Sequence, residues 1–308
     1  MSLISSNPNS LNATFNEADE QAILRLQQRV KELEIISRKI TTHLFTGEYH
    51  SAFKGKGMSF REVREYHAGD DVRFIDWNVS ARFNHPFTKV FEEERELTVF
   101  LLIDTSASNL FGTSQQRKID LINEIAAVLC FSAISNNDKV GAIFFSDEIE
   151  GFVAPQKGRK HALYIVRQLL TAKHARKGTD LEKALKYFNR MVKQKSIAFV
   201  LSDFVQGGLE KSLKMIAGRH DVIGMKFFDR LDIDLPNVGL LQLEDLETGS
   251  RQLVDTTDTY VRQQFQDRFL SNAKNVSEYF KKAGADLLHI GTDEDYVKLL
   301  QSFFIGRG

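Results

Sequence analysis

Val99-Phe100-Leu101-Leu102-Ile103-Asp104-Thr105-Ser106-Ala107-Ser108 is an apolar run that stops abruptly at an acid and then carries hydroxyls at every second position. Apolar at odd and even positions alike, the run reads as a strand buried on both faces, as in a parallel sheet covered by helices. Asp104, Ser106 and Ser108 fall just past its C-terminal end, where a turn can aim three oxygens at one point. Oxygen-only donors at short spacing suit a hard cation, Mg²⁺ first, with Mn²⁺ and Ca²⁺ as alternates. Open α/β sheets also place their sites in the crevice at the strand C-termini. The same residue types serve as turn formers and helix caps, so these residues alone leave a capped turn open beside a metal site.

Two later stretches extend the pattern. Lys177-Gly178-Thr179-Asp180-Leu181 opens a helical segment and offers a hydroxyl at its start, and Ile197-Ala198-Phe199-Val200-Leu201-Ser202-Asp203-Phe204 is a second apolar strand ending in an acid. Strand–Asp, loop–Thr, strand–Asp in that order resembles the metal-ion-dependent adhesion site of von Willebrand factor A domains. The resemblance implies a metal held by Asp104, Ser106 and Ser108 from the first loop, Thr179 from the second and Asp203 from the third. In such domains an acidic residue of a partner protein completes the coordination.

From Leu97 onward strand and helix patterns alternate, which predicts an α/β fold with a doubly wound, mostly parallel sheet flanked by helices. Helices are expected near 116–136, 160–172, 180–194, 208–219 and 258–282, with a closing helix at the end. Strands are expected near 140–146, 149–154, 197–203, 222–228 and 286–290. Residues 239–254 read as a hairpin turning at Glu247-Thr248-Gly249. Residues 1–43 form a Ser/Asn-rich tail and, from about Asn16 to Thr42, one long amphipathic helix. That helix packs on its own domain or, on the other reading, pairs with a second copy as a coiled coil. Residues 97–308 are the von Willebrand factor A-like domain.

Residues 44–96 form a separate, Gly-punctuated region dense in Arg, Asp and aromatic residues. Short strands, turns and Arg–Asp pairs fit it, and no helical period does. Asp70, Asp71 and Asp76 have Arg61, Arg64, Arg73, Arg82 and Arg95 as sequence neighbours, and Tyr66 and Trp77 read as core anchors. The run Arg64 to Trp77, R-x-Y-x-x-G-D-D-x-R-x-I-D-W, followed by the D-x-S-x-S strand end, resembles an uncharacterised bacterial family with a von Willebrand factor A-like domain. Its members are commonly encoded beside MoxR-type AAA+ ATPases. The resemblance implies an adaptor or co-chaperone of such an ATPase, a non-enzymatic module. The competing readings are a metal-dependent hydrolase using Asp104, Asp203 and the Asp70/Asp71 pair, and a scaffold assembled through the N-terminal helix.

Bulk properties narrow the field. With 308 residues, 41 Lys+Arg and 41 Asp+Glu, the chain has no net field to favour nucleic acid or an anionic membrane. No apolar segment approaches the roughly 20 residues needed to cross a bilayer, and the N-terminus lacks the order of a signal peptide, so a cytoplasmic location is expected. The single Cys130 rules out an internal disulfide and a Cys-based zinc site. A P-loop, a dinucleotide-binding glycine motif and paired zinc-binding histidines are absent. The short basic clusters at 157–161 and 173–177 read as solvated loop faces.

Overall fold

A computed structural model of the chain describes residues 28–36, 59–92, 96–112, 116–172, 178–244 and 250–307. At its centre lies a six-stranded sheet made of β3 Thr98–Asp104, β4 Lys139–Phe145, β5 Ile149–Gln156, β6 Ile197–Ser202, β7 Asp221–Phe228 and β10 Asp286–Gly291. Their order across the sheet is β10-β7-β6-β3-β4-β5. All neighbours run parallel except β5, which pairs antiparallel with β4.

The unbroken apolar run of β3 feeds two separate cores. Val99, Leu101 and Ile103 pack on one face with the helices Lys118–Ser135, Arg159–Thr171 and Tyr296–Arg307. Phe100 and Leu102 pack on the other with the helices Leu181–Met191, Glu210–Ala217 and Thr259–Ala283. Those five strand residues are each at most 1% exposed, and each buried side chain of this size contributes about 1.5–3 kcal/mol. The sequence-derived elements of this region coincide with observed ones to within a few residues. The hairpin appears as β8 Leu240–Glu244 and β9 Arg251–Asp255, whereas its turn lies outside the described residues.

From β3 the chain winds outward through β4 and β5, then returns to β6 on the other side of β3. The order therefore reverses between β3 and β6, and the crevice beyond their C-termini is the topological switch point where such sheets bind ligands. Asp104 and Asp203 stand at those two strand ends.

Of the expected N-terminal helix, residues 28–36 are described and helical. Leu33 is fully buried in the sheet's first core, and Glu34 accepts both Nε and Nη2 of Arg159, the latter at 2.8 Å. This part of the helix packs on its own domain. Arg159 and Lys157 belong to the basic cluster expected to be a solvated loop face; both are exposed, and each also pairs with a carboxylate, Lys157 with Glu96 at 2.8 Å. The cluster at 173–177 lies outside the described residues.

In the Arg/Asp-rich region, β1 Ser59–Glu65 and β2 Phe87–Glu92 form an antiparallel pair. Between them sits a seven-residue helix, Trp77–Phe83, where turns and strands were expected. Asp76 initiates it by accepting the backbone N–H groups of Asn78 and Val79. The expectation for Trp77 is corrected: it is 72% exposed, because Ser80 is the residue this helix buries. Ser80 Oγ accepts from Phe87 N at 2.8 Å and so fixes the helix to β2. Asp70 bonds Arg64 at 2.8 Å, Asp71 bonds Arg73 at 2.6 Å, and Asp76 bonds Lys89 at 3.3 Å. Arg73 holds Asp71 down to about 2. These carboxylates serve the local turn structure.

Candidate functional site

The loop after β3 is anchored by Thr105, whose backbone N and Oγ1 both donate to Phe145 O at the end of β4, at 2.8 and 2.9 Å. Asp104 is fully buried. Its Oδ1 accepts from Ser106 N at 2.9 Å, and its Oδ2 accepts from Ser202 Oγ at 2.6 Å. The Ser106 and Ser108 hydroxyl oxygens lie 3.0 Å apart. Asn109, which no motif marked, braces the loop by donating to Asp104 O and Ser106 Oγ, both at 3.3 Å.

On the neighbouring strand end, Ser202 and Asp203 precede Phe204, which is buried with φ +50°. A bulky residue in the left-handed region is strained and persists only where its surroundings enforce it. Here Ser202 Oγ accepts Phe204 N at 3.1 Å, and the Phe204 ring packs edge-on against Phe280, with centroids 5.4 Å apart. Asp203 is 3% exposed, and its Oδ1 is buried without a hydrogen-bond partner among the described residues.

The loop that leads into the helix Leu181–Met191 is tied to both neighbours. Asp180 N donates to Ser146 O at 2.8 Å beyond β4, and Leu181 N donates to Gln206 Oε1 at 2.9 Å beyond β6. Thr179, immediately before them, is half-buried. The fold therefore brings Asp104, Ser106, Ser108 and Asp203 to the switch point, with Thr179 in the adjoining loop.

Sequence reasoning missed the cations. Lys118, at the start of the helix Lys118–Ser135, is 4% exposed; its Nζ lies 3.5 Å from Asp203 Oδ2 and 3.2 Å from Asp232 Oδ2. Asp232 sits on a short helix, Arg230–Ile233, that the sequence did not disclose. Lys226, 3% exposed on β7, donates to Asp203 O and, at 2.9 Å, to Asn272 Oδ1. The one available signal was Lys226 itself, a lone charge inside the apolar stretch 222–228.

Burial and, next, the Asp203 charge push Asp104 well above the usual carboxylate range. Burial works against the charged form of Lys118, but Asp203 and Asp232 outweigh it and the group is raised. Burial brings Lys226 down to about 8. Among the described residues no three His, Cys, Asp or Glu side chains gather to hold a metal, so any ion here depends on hydroxyl donors. The paired serine hydroxyls and the unpartnered Asp203 oxygen are a donor set that fits a hard divalent cation.

Fold and loop cluster together define an α/β protein with an oxygen-rich site at the switch point of a mostly parallel sheet. Residues 62–275 match the family described as "Protein of unknown function DUF58", and the chain belongs to that family. It is 30% identical over 287 residues to the uncharacterised protein Rv1480 of Mycobacterium tuberculosis, covering 92% of this chain and 90% of the relative. It is likewise 30% identical to the uncharacterised protein YeaD of Bacillus subtilis, over 36% of this chain and 25% of the relative. Similar solved structures include an aerotolerance-related membrane protein of Bacteroides fragilis, with TM-score 0.44, 14% identity, and 68% of this chain and 98% of that one covered. The von Willebrand factor A domain of SpRpn10 aligns with TM-score 0.39 and 14% identity, over 70% and 98% of the two chains. Among the described residues no helix is long and apolar enough to cross a membrane.

Proposed function

We propose that the protein is a metal-dependent protein-interaction module. Asp104, Ser106, Ser108, Thr179 and Asp203 would hold a Mg²⁺ ion, directly or through water, and an acidic residue of a partner would complete the site. The observation that carries this reading is the buried, unpartnered Asp203 Oδ1 in a loop cluster whose Ser106 and Ser108 hydroxyls lie 3.0 Å apart. A buried acceptor left unsatisfied costs about 1–3 kcal/mol, and a bound cation would remove that cost.

When bound, the ion would supply a positive centre that attracts an anionic side chain. The chain's own residues do the rest. Ser106 N and Ser202 Oγ fix the Asp104 carboxylate, Asn109 holds the Ser106 hydroxyl in place, and Thr105 ties the loop to β4. The hydrolase reading gains nothing from Asp70 and Asp71, whose carboxylates are bonded to Arg64 and Arg73. Following the family resemblance, the partner proposed is a MoxR-type AAA+ ATPase, with this chain as a non-catalytic adaptor.

The test is capture of a MoxR-type ATPase by the immobilised full-length chain in Mg²⁺ and in excess chelator. Capture in Mg²⁺ that is lost on chelation and in Ser106→Ala/Ser108→Ala supports the reading. Capture indifferent to both contradicts it.

A further inference from the structure

Next to the loop cluster, between the C-terminal ends of β6 and β7 and the helix Thr259–Ala283, lies a cavity of about 340 Å³. Its size is in the range of small-ligand pockets, roughly 300–1,000 Å³. Lys226 lines it and is buried, yet the hydrogen bonds of its ammonium go to neutral acceptors, Asp203 O and Asn272 Oδ1. Among the described residues no carboxylate comes within ion-pair distance of it. A buried ammonium without a paired anion is rare, because desolvation of the charge goes uncompensated.

The surroundings make this an incomplete ion pair. Lys118, Lys226 and Arg268 line the cavity against two carboxylates, Asp203 and Asp232. Both carboxylates are engaged by Lys118, so they shield Lys226 without pairing with it. Arg268 is exposed at the rim and makes no ion pair among the described residues. Three cations against two anions leave room for one negative charge. Most of the remaining wall is apolar: Val205 and the rings of Phe265, Phe269 and Phe228, the last two packed edge-on with centroids 5.7 Å apart. Lys226 Nζ also stands 5.9 Å from the Phe269 ring centre.

We infer that this cavity binds a monocarboxylate joined to an aromatic or bulky apolar body. The carboxylate pairs with Lys226 and Arg268, and the apolar body lies among the phenylalanine rings. Such chemistry comes either as a free arylalkanoic acid or as the C-terminal carboxylate of a peptide ending in an aromatic residue. The site works whether or not the neighbouring loops hold a metal.

Ligand-observed NMR on the full-length chain, in chelator, tests this with four probes. These are 3-phenylpropanoate, its neutral counterpart 3-phenylpropan-1-ol, acetyl-Gly-Phe with a free carboxylate, and the corresponding C-terminal amide. Binding of either carboxylate, at least about tenfold tighter than its neutral counterpart, is expected from a charge-assisted contact. Preference for the free acid or for the peptide identifies the source. Lys226→Met should abolish the preference. Arg268→Gln, an exposed change that leaves the core intact, should weaken carboxylate binding several-fold. Equal binding of acid and alcohol, no binding of either acid, or binding unchanged in both variants would overturn the assignment.

Discussion

Lys118 Nζ lies 3.5 Å from Asp203 Oδ2, with both side chains almost fully buried. A tethered ammonium thus sits on the carboxylate that the proposed metal also needs. Removing one partner of a buried pair leaves a charge uncompensated, at a cost of about 3–5 kcal/mol. Lys118→Met should therefore lower the thermal midpoint strongly in chelator. Saturating Mn²⁺ should recover more stability in the variant than it adds to the wild type. Scanning calorimetry of both proteins with and without Mn²⁺ checks this, and an equal Mn²⁺ effect on the two would count against a shared carboxylate.

His220 gives a pH dependence of definite sign. It is 3% exposed, packs tilted against Phe188 with centroids 4.7 Å apart, and neither ring nitrogen has a hydrogen-bond partner among the described residues. Burial, aided by Arg219, brings it down to about 4. The unfolded chain therefore binds a proton near pH 6.5 that the folded chain refuses until about pH 4. Stability from this residue is intact above pH 6.5 and is lost as pH falls toward 4. His220→Phe should flatten that acid limb in denaturant titrations at pH 7 and pH 4.5, and should be neutral or slightly stabilising at pH 7.

Gly224 marks the close approach of the helix Thr259–Ala283 to β7. A Cβ there would sit 2.4 Å from the Phe280 ring and 2.8 Å from Leu287 Cδ1. Both neighbours belong to the packed face, so neither can move freely. Gly224→Ala should cost about 1–3 kcal/mol through overpacking. Chemical denaturation measures it directly, and an unchanged midpoint would mean that the helix stands further from the sheet.

Trp77 is the only tryptophan in the chain and is 72% exposed. Its fluorescence should be red-shifted in the native state and readily quenched by acrylamide, changing little on unfolding. A blue-shifted, protected signal would place Trp77 in an interface.

The sheet was legible because β3, β6 and β7 are buried on both faces; β3 and β6 announce it as unbroken apolar runs, and β7 as a run interrupted by Lys226 alone. Asp104 and Asp203 were legible because each ends such a run. Lys118 was not, since its partners Asp203 and Asp232 are 85 and 114 residues away and only the fold joins them. The short helix carrying Asp232 holds four residues, too few to show a period, and depends on a reciprocal cap between Asp229 and Asp232. Trp77 misled for a different reason. Aromatic residues usually anchor cores, but its helix is fastened by the Asp76 cap and the Ser80 hydroxyl.

On the function proposed above, the loops beyond β3 and β6 hold a divalent ion. The most direct measurement is calorimetric titration of Mn²⁺ into chelator-treated full-length protein, wild type against Asp104→Asn. The substitution keeps the shape that accepts Ser106 N and removes the charge. One binding event in the wild type, abolished or weakened beyond about millimolar in the variant, is the result predicted. No binding up to millimolar Mn²⁺, or equal binding by both proteins, would contradict it and leave Asp104, Ser106 and Ser108 as a braced turn.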